Sequence, residues 1–140
     1  MEKLGILLAE DDVSLRECVR RLLEPEFEIL ACGGDGQSLI EAAQTLTPDL
    51  IITDISMPVL NGFQAVRRLR TVQPNARVIF LSVHEEAAFV AEANKSGALG
   101  YVVKRCASSH LIPAIREALE GRSFVGPTFC NDPLHGPFQP

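Results

Sequence analysis

Five side chains suited to metal or phosphorus chemistry each stand at the end of a short apolar run. Glu10 and Asp11 follow Lys3–Ala9, Asp54 follows Leu50–Thr53, Ser82 follows Arg77–Leu81 and Lys104 follows Leu99–Val103. Carboxylates brought close together repel one another, and a hard divalent cation with oxygen preference relieves this. Mg²⁺ fits such a set because it takes few protein ligands, keeps waters and accepts phosphate oxygens. Asp54 itself could be a metal ligand, a nucleophile toward phosphorus or a helix cap. As a nucleophile it would form an aspartyl-phosphate. The cation and Lys104 would then neutralise the equatorial oxygens, and the Ser82 hydroxyl could donate to one of them.

These residues meet only if the apolar runs are strands of one parallel sheet. Short β-branched runs without helical period read as strands buried on both faces. Phe27–Cys32 supplies one more. Between them lie helical patterns. Apolar residues at positions 15, 18, 19, 22 and 23 mark one face of Val13–Glu24, and Pro25 ends it. Gln37–Leu46 stops before Pro48, and Gly62–Val72 carries Arg67, Arg68 and Arg70 on its wet side. Glu85–Lys95 stops near Gly97, and Ser109–Glu120 ends at Gly121. Strand and helix thus alternate five times. That pattern predicts an α/β fold, a flavodoxin-like (βα)5 doubly wound parallel sheet of five strands in the order 2-1-3-4-5. All strand carboxyl ends then point to one edge, where open α/β sheets keep their ligand crevices.

A chain of 140 residues with 46% hydrophobic and 22% charged residues is globular and fits one domain. The expected division is 1–122 for that domain and 123–140 for a Pro-rich tail, extended or disordered. A net charge of −5 argues against nucleic-acid binding by this chain, because phosphate contacts need a basic face. No apolar run approaches a membrane span and the start lacks a signal peptide's pattern, so the expected location is cytoplasmic. The scattered Cys18, Cys32, Cys106 and Cys130 read as reduced thiols, and His84, His110 and His135 form no zinc-spaced cluster. Bland roles compete with the chemical ones. Asp12 reads as the cap of the first helix, His84 as a solvent-edge residue, and the arginine run as a wet helix face.

From about Lys3 to Gly121 the chain resembles the receiver domains of two-component response regulators. The matching parts are the acidic pair Glu10-Asp11, the D-x-x-M-P segment Asp54–Pro58 with Asn61-Gly62 after it, Ser82 and Lys104. The resemblance implies that Asp54 is the phosphoacceptor. It implies that Glu10, Asp11, Asp54 and the Ser56 backbone carbonyl hold Mg²⁺, that Ser82 is the switch hydroxyl, and that Tyr101 is the switch aromatic. Segments 81–86, 97–104 and 115–121 look closest to the NarL/FixJ (LuxR-type) subfamily. Its members usually carry a C-terminal helix-turn-helix DNA-binding domain, and nothing after Gly121 is expected to be one.

The function so implied is a switch phosphorylated by a sensor histidine kinase and catalysing only its own phosphorylation and dephosphorylation. Its output would be a changed surface on the fourth helix, fifth strand and fifth helix, controlling partner binding or homodimerisation, with the first and fifth helices as a second dimer surface. Transcriptional regulation is the expected parent role. The chain departs from the common pattern at Arg105, where many receivers have proline, and at Ser82, which replaces threonine. Ser56 and His84 match positions that tune phosphoryl lifetime in the family. A phosphorylation-independent interaction module and a single-domain phosphorelay intermediate are the alternatives. An aspartyl-phosphate phosphatase lacks support because Ser56 stands where a D-x-D pattern needs an acid. FMN binding is disfavoured by the acidic first turn.

Overall fold

The computed structural model describes residues 3–125. Its elements run β1 (Gly5–Ala9), α1 (Val13–Leu23), β2 (Glu28–Gly33), α2 (Gly36–Leu46), β3 (Leu50–Thr53), α3 (Gly62–Arg70), β4 (Val78–Ser82), α4 (Ala87–Lys95), β5 (Gly100–Val103), α5 (Ala107–Leu119) and β6 (Phe124–Val125). The strands form one sheet in the order β2-β1-β3-β4-β5-β6, and every pairing is parallel. The five expected strands occupy the expected order. The sixth strand, only two residues long, extends the β5 edge from residues assigned by sequence to the tail. The rest of that tail, with Cys130 and His135, lies outside the described residues.

Strand alternation sorts the core into two halves. Leu7, Ile51, Val78, Phe80 and Tyr101 face one way and pack with α2, α3 and α4. Ile6, Leu8, Leu50, Ile52, Ile79, Leu81 and Val102 face the other way and pack with α1 and α5. Side chains one residue apart on a strand point to opposite faces, so an apolar run of this kind needs a cover on both. That requirement is why continuous apolar stretches become central strands here.

Local signals start and stop the helices. Asp12 caps α1 by accepting from the Leu15 amide, Asp35 caps α2 through the Ser38 amide, and Gly121 ends the last helix at φ +79°. Asn61 and Gln64 form a reciprocal capping box at the start of α3. Among the three arginines read as a wet face, Arg67 and Arg68 are exposed but Arg70 is not. Its guanidinium donates to the carbonyls of Ser96 (2.7 Å), Gly97 (2.9 Å) and Pro74 (3.0 Å). A planar fork that can satisfy several carbonyls at once is drawn to a helix end, whatever the helical period suggests. The reading of reduced thiols also fails at one place. Cys18 is free and exposed, whereas the buried Cys106 is disulfide-bonded. Spacing along the chain does not tell which cysteines meet in space. Among the described residues no helix is long and apolar enough to cross a membrane.

Candidate functional site

Register brings the acids together. β1 and β3 pair Ile6 with Leu50 and Ala9 with Thr53, so Glu10 and Asp54 leave the sheet one step further on, side by side. Oxygen atoms of Glu10, Asp11 and Asp54 all lie within 4.8 Å of one another. Glu10 and Asp54 are buried and Asp11 is exposed at the mouth. The Lys104 ammonium enters from the end of β5 and lies 2.9 Å from both Asp54 Oδ2 and Glu10 Oε1. Ser82, the last residue of β4, is completely buried. The four strand ends that the sequence nominated therefore converge on one crevice.

Asp54 is held by the turn that follows it. Its Oδ1 accepts from the Ile55 amide at 2.7 Å and lies 3.4 Å from the Ser56 amide. Gly62, the first residue of α3, passes so close that an added Cβ would sit 2.2 Å from the Asp54 carbonyl oxygen. Only a residue without a side chain allows this helix start to lean on the acid's own backbone. In the same loop Val59 has φ +71° and is 76% exposed, an unusual conformation for a β-branched residue.

Electrostatically the crevice holds more negative charge than it compensates. Burial pushes the Glu10 carboxyl above its ordinary value, against hydrogen bonds from Lys104 and the Asp12 amide, and the Asp54 charge adds to the rise. Burial acts to lower Lys104, but hydrogen bonds and charge from Asp54 and Glu10 outweigh it and the net direction is upward. Glu10 Oε1 is buried, and among the described residues its polar contact is the Lys104 ammonium at 2.9 Å, which it shares with Asp54. An under-compensated buried carboxylate beside two other acids suits a hard oxygen-seeking cation.

The loop between β4 and α4 borders the crevice through His84. The His84 amide donates to Ser82 Oγ at 3.0 Å, and the His84 carbonyl accepts from the Tyr101 hydroxyl at 2.8 Å. Tyr101 is 3% exposed, so it points inward, and burial raises its phenol above the ordinary value. The His84 ring is not merely at a solvent edge. It stacks on Phe89 at 4.0 Å between centroids, with Nε2 3.3 Å from Ser56 Oγ. Residues 85 and 105 were not singled out for a role by sequence, yet Arg105 makes a two-pronged contact with Glu85. The one available signal was Arg105 standing where proline is common.

A model of the response regulator receiver domain matches residues 6–116, most of the chain. The protein belongs to the response-regulator receiver family. It is 37% identical over 127 residues to the transcriptional regulatory protein DegU of Brevibacillus brevis, covering 89% of this chain and 54% of that protein. It is 34% identical over 122 residues to the nitrate/nitrite response regulator NarL of Escherichia coli K12, covering 86% of this chain and 56% of that protein. The chain thus spans about half the length of these curated relatives. Among solved structures it is similar to a LuxR-family two-component response regulator from Aurantimonas sp. SI85-9A1. That match has a TM-score of 0.86 and 31% identity, over 90% of this chain and 91% of the other. The signal receiver domain of a NarL from Mycobacterium tuberculosis superposes with a TM-score of 0.81 and 27% identity, over 87% of this chain and all of the other. The receiver is therefore of the LuxR type, and its class is signalling.

Proposed function

We propose that this receiver is a phosphorylation-controlled switch in which Asp54 accepts a phosphoryl group from the phosphohistidine of a sensor histidine kinase. The observation that carries this is the single ammonium of Lys104, 2.9 Å from Asp54 and from Glu10 in a crevice otherwise lined by acids. In the transfer, Asp54 Oδ2 forms a bond to phosphorus, the P–N bond to the kinase imidazole breaks, and its electron pair stays on that nitrogen. Asp54 is positioned by its backbone amide contacts, leaving Oδ2 toward the crevice. Lys104 then pairs with a phosphoryl oxygen, and Ser82 donates its hydroxyl proton to another. Glu10, Asp11, Asp54 and the Ser56 carbonyl would hold Mg²⁺, which when bound neutralises charge on the phosphoryl oxygens.

The added charge would bias the α4–β5–α5 surface between two states and so control a partner or a second copy, with α1 and α5 as another dimer surface. In a longer parent protein the controlled process would be transcription, as the relatives' names suggest. Residues 1–122 would form the receiver and 123–140 an appended segment. A cytoplasmic site of action follows from the kinase partner. A second reading, signalling without phosphoryl transfer, is favoured by one observation: Tyr101 already points inward in the unphosphorylated protein.

Intact mass after incubation with acetyl phosphate and Mg²⁺ tests the first reading, with Asp54→Asn and a chelator as controls. One phosphoryl group on the wild type alone, lost with the chelator, is expected. Equal uptake by Asp54→Asn would reject Asp54 as acceptor, and no uptake by either would favour the second reading.

A further inference from the structure

We propose that the Arg105–Glu85 ion pair is a latch that positions the β4–α4 loop for phosphoryl transfer before any phosphoryl group arrives. This rests on Asp54 being the acceptor. Arg105 Nε donates to Glu85 Oε2 at 3.0 Å and Nη2 donates to Oε1 at 2.9 Å, a parallel two-bond contact across 20 residues of sequence. Such forks fix geometry as well as charge, which a lysine in the same place would not do.

What the latch joins gives it a role. Arg105 directly follows Lys104, the ammonium that bridges Asp54 and Glu10. Glu85 directly follows His84, whose amide donates to Ser82 Oγ and whose carbonyl accepts from Tyr101. A serine hydroxyl has one proton and two acceptor lone pairs. The His84 amide occupies one lone pair, and the Ser82 proton, which faces the Tyr101 phenol oxygen here, would turn to a phosphoryl oxygen when one arrives. The loop position that the latch maintains is thus the one in which Ser82 is a donor and Tyr101 has its inward partner. The following helix supports the loop through the Phe89 ring stacked on His84, but through little else. Glu86, at the N-cap of α4, makes no side-chain capping bond, and Ala93 is the one buried residue of that helix. Arg105 and Glu85 are therefore positioning residues, acting through His84 on Ser82 and Tyr101.

The chain contains one tyrosine and no tryptophan, so its intrinsic fluorescence reports Tyr101 alone. The experiment uses the full chain with Glu85→Gln, Arg105→Gln, and the exchanged pair Glu85→Arg with Arg105→Glu. Acrylamide quenching is measured without phosphodonor, and acetyl phosphate uptake with Mg²⁺. Each single variant is expected to raise quenching and slow uptake by roughly two- to fivefold, the range for a partly exposed ion pair. The exchanged pair is expected to restore both. Salt at about 1 M, which screens such a pair, should move the wild type toward the single variants without any mutation.

Unchanged quenching in the single variants, or changes that the exchanged pair does not reverse, would overturn the latch. Raised quenching with unchanged uptake would overturn its positioning role. A wild type that takes up no phosphoryl group rejects the Asp54 reading instead. In that case the quenching comparison still decides whether the pair holds Tyr101 inward.

Discussion

Helices α3 and α4 have the same length, nine residues each, and lie on the same face of the sheet, yet they are held in opposite ways. α3 has a complete capping box and buries Gly62, Phe63, Ala65, Val66 and Leu69. α4 has no side-chain cap and buries Ala93 alone. Propensity does not explain this, because α4 is rich in alanine, the best helix former. The difference is tertiary. α3 begins under the backbone of Asp54 and must not move if the acid is to keep its place. α4 follows the loop that touches Ser82 and Tyr101, and few buried contacts leave it free to respond. Fixed machinery and responsive surface stand side by side on one sheet.

The contrast can be broken from the α3 side. Gly62→Ala should have the largest effect, about 3 kcal/mol of destabilisation, because its Cβ must displace the Asp54 backbone. Urea unfolding measures it, and a cost near zero would show that α3 does not anchor the acid. Asn61→Ala removes one half of the capping box and should cost about 1 kcal/mol in the same assay.

From the other side, Glu86→Ser would give α4 the cap it lacks. We expect about 0.5 kcal/mol of added stability, seen as slower amide exchange in α4, together with a smaller response to phosphorylation. Equal response with a better-capped helix would separate helix stability from switching.

The smallest effect belongs to neither helix and serves as their control. His110 on α5 has a buried, unpartnered Nδ1 edge-on to Phe124, and burial lowers its pKa below the usual 6.5. The unfolded chain then binds the proton more readily, so this contribution is complete above about 6.5 and declines as pH falls toward the folded value. Thermal melts of His110→Phe should lose that part of the pH slope. A slope identical to wild type would assign it to other groups.

How much of this was legible in the sequence depends on whether a feature is periodic or relational. Runs such as Leu50–Thr53 announced themselves because burial on both faces leaves a continuous apolar signature. Asp54, Glu10 and Lys104 were legible because each ends such a run, and a parallel sheet sends those ends to one edge. Asp12 could be read as a cap because capping is local. The sixth strand was invisible, since two residues carry no alternation. Arg70 was misread because helical period tells which way a side chain starts out, not where a long one ends. The Arg105–Glu85 contact also joins partners whose meeting depends on how two loops finish. Pairings of that kind have no pattern within either segment.

Arg70 has a mechanical consequence. By holding the carbonyls of Ser96 and Gly97 it fastens the C-terminal end of α4 to α3 by hydrogen bonds. The N-terminal end has no side-chain cap and is held by ring contacts of Phe89 with Phe63 and His84. α4 is then a lever with its fulcrum at Ser96. A nine-residue helix is about 13 Å long, so a tilt of roughly 10° swings its free end by about 2 Å and its fixed end hardly at all. The travel is greatest at Glu86, next to Glu85 and His84, where the loop meets the crevice.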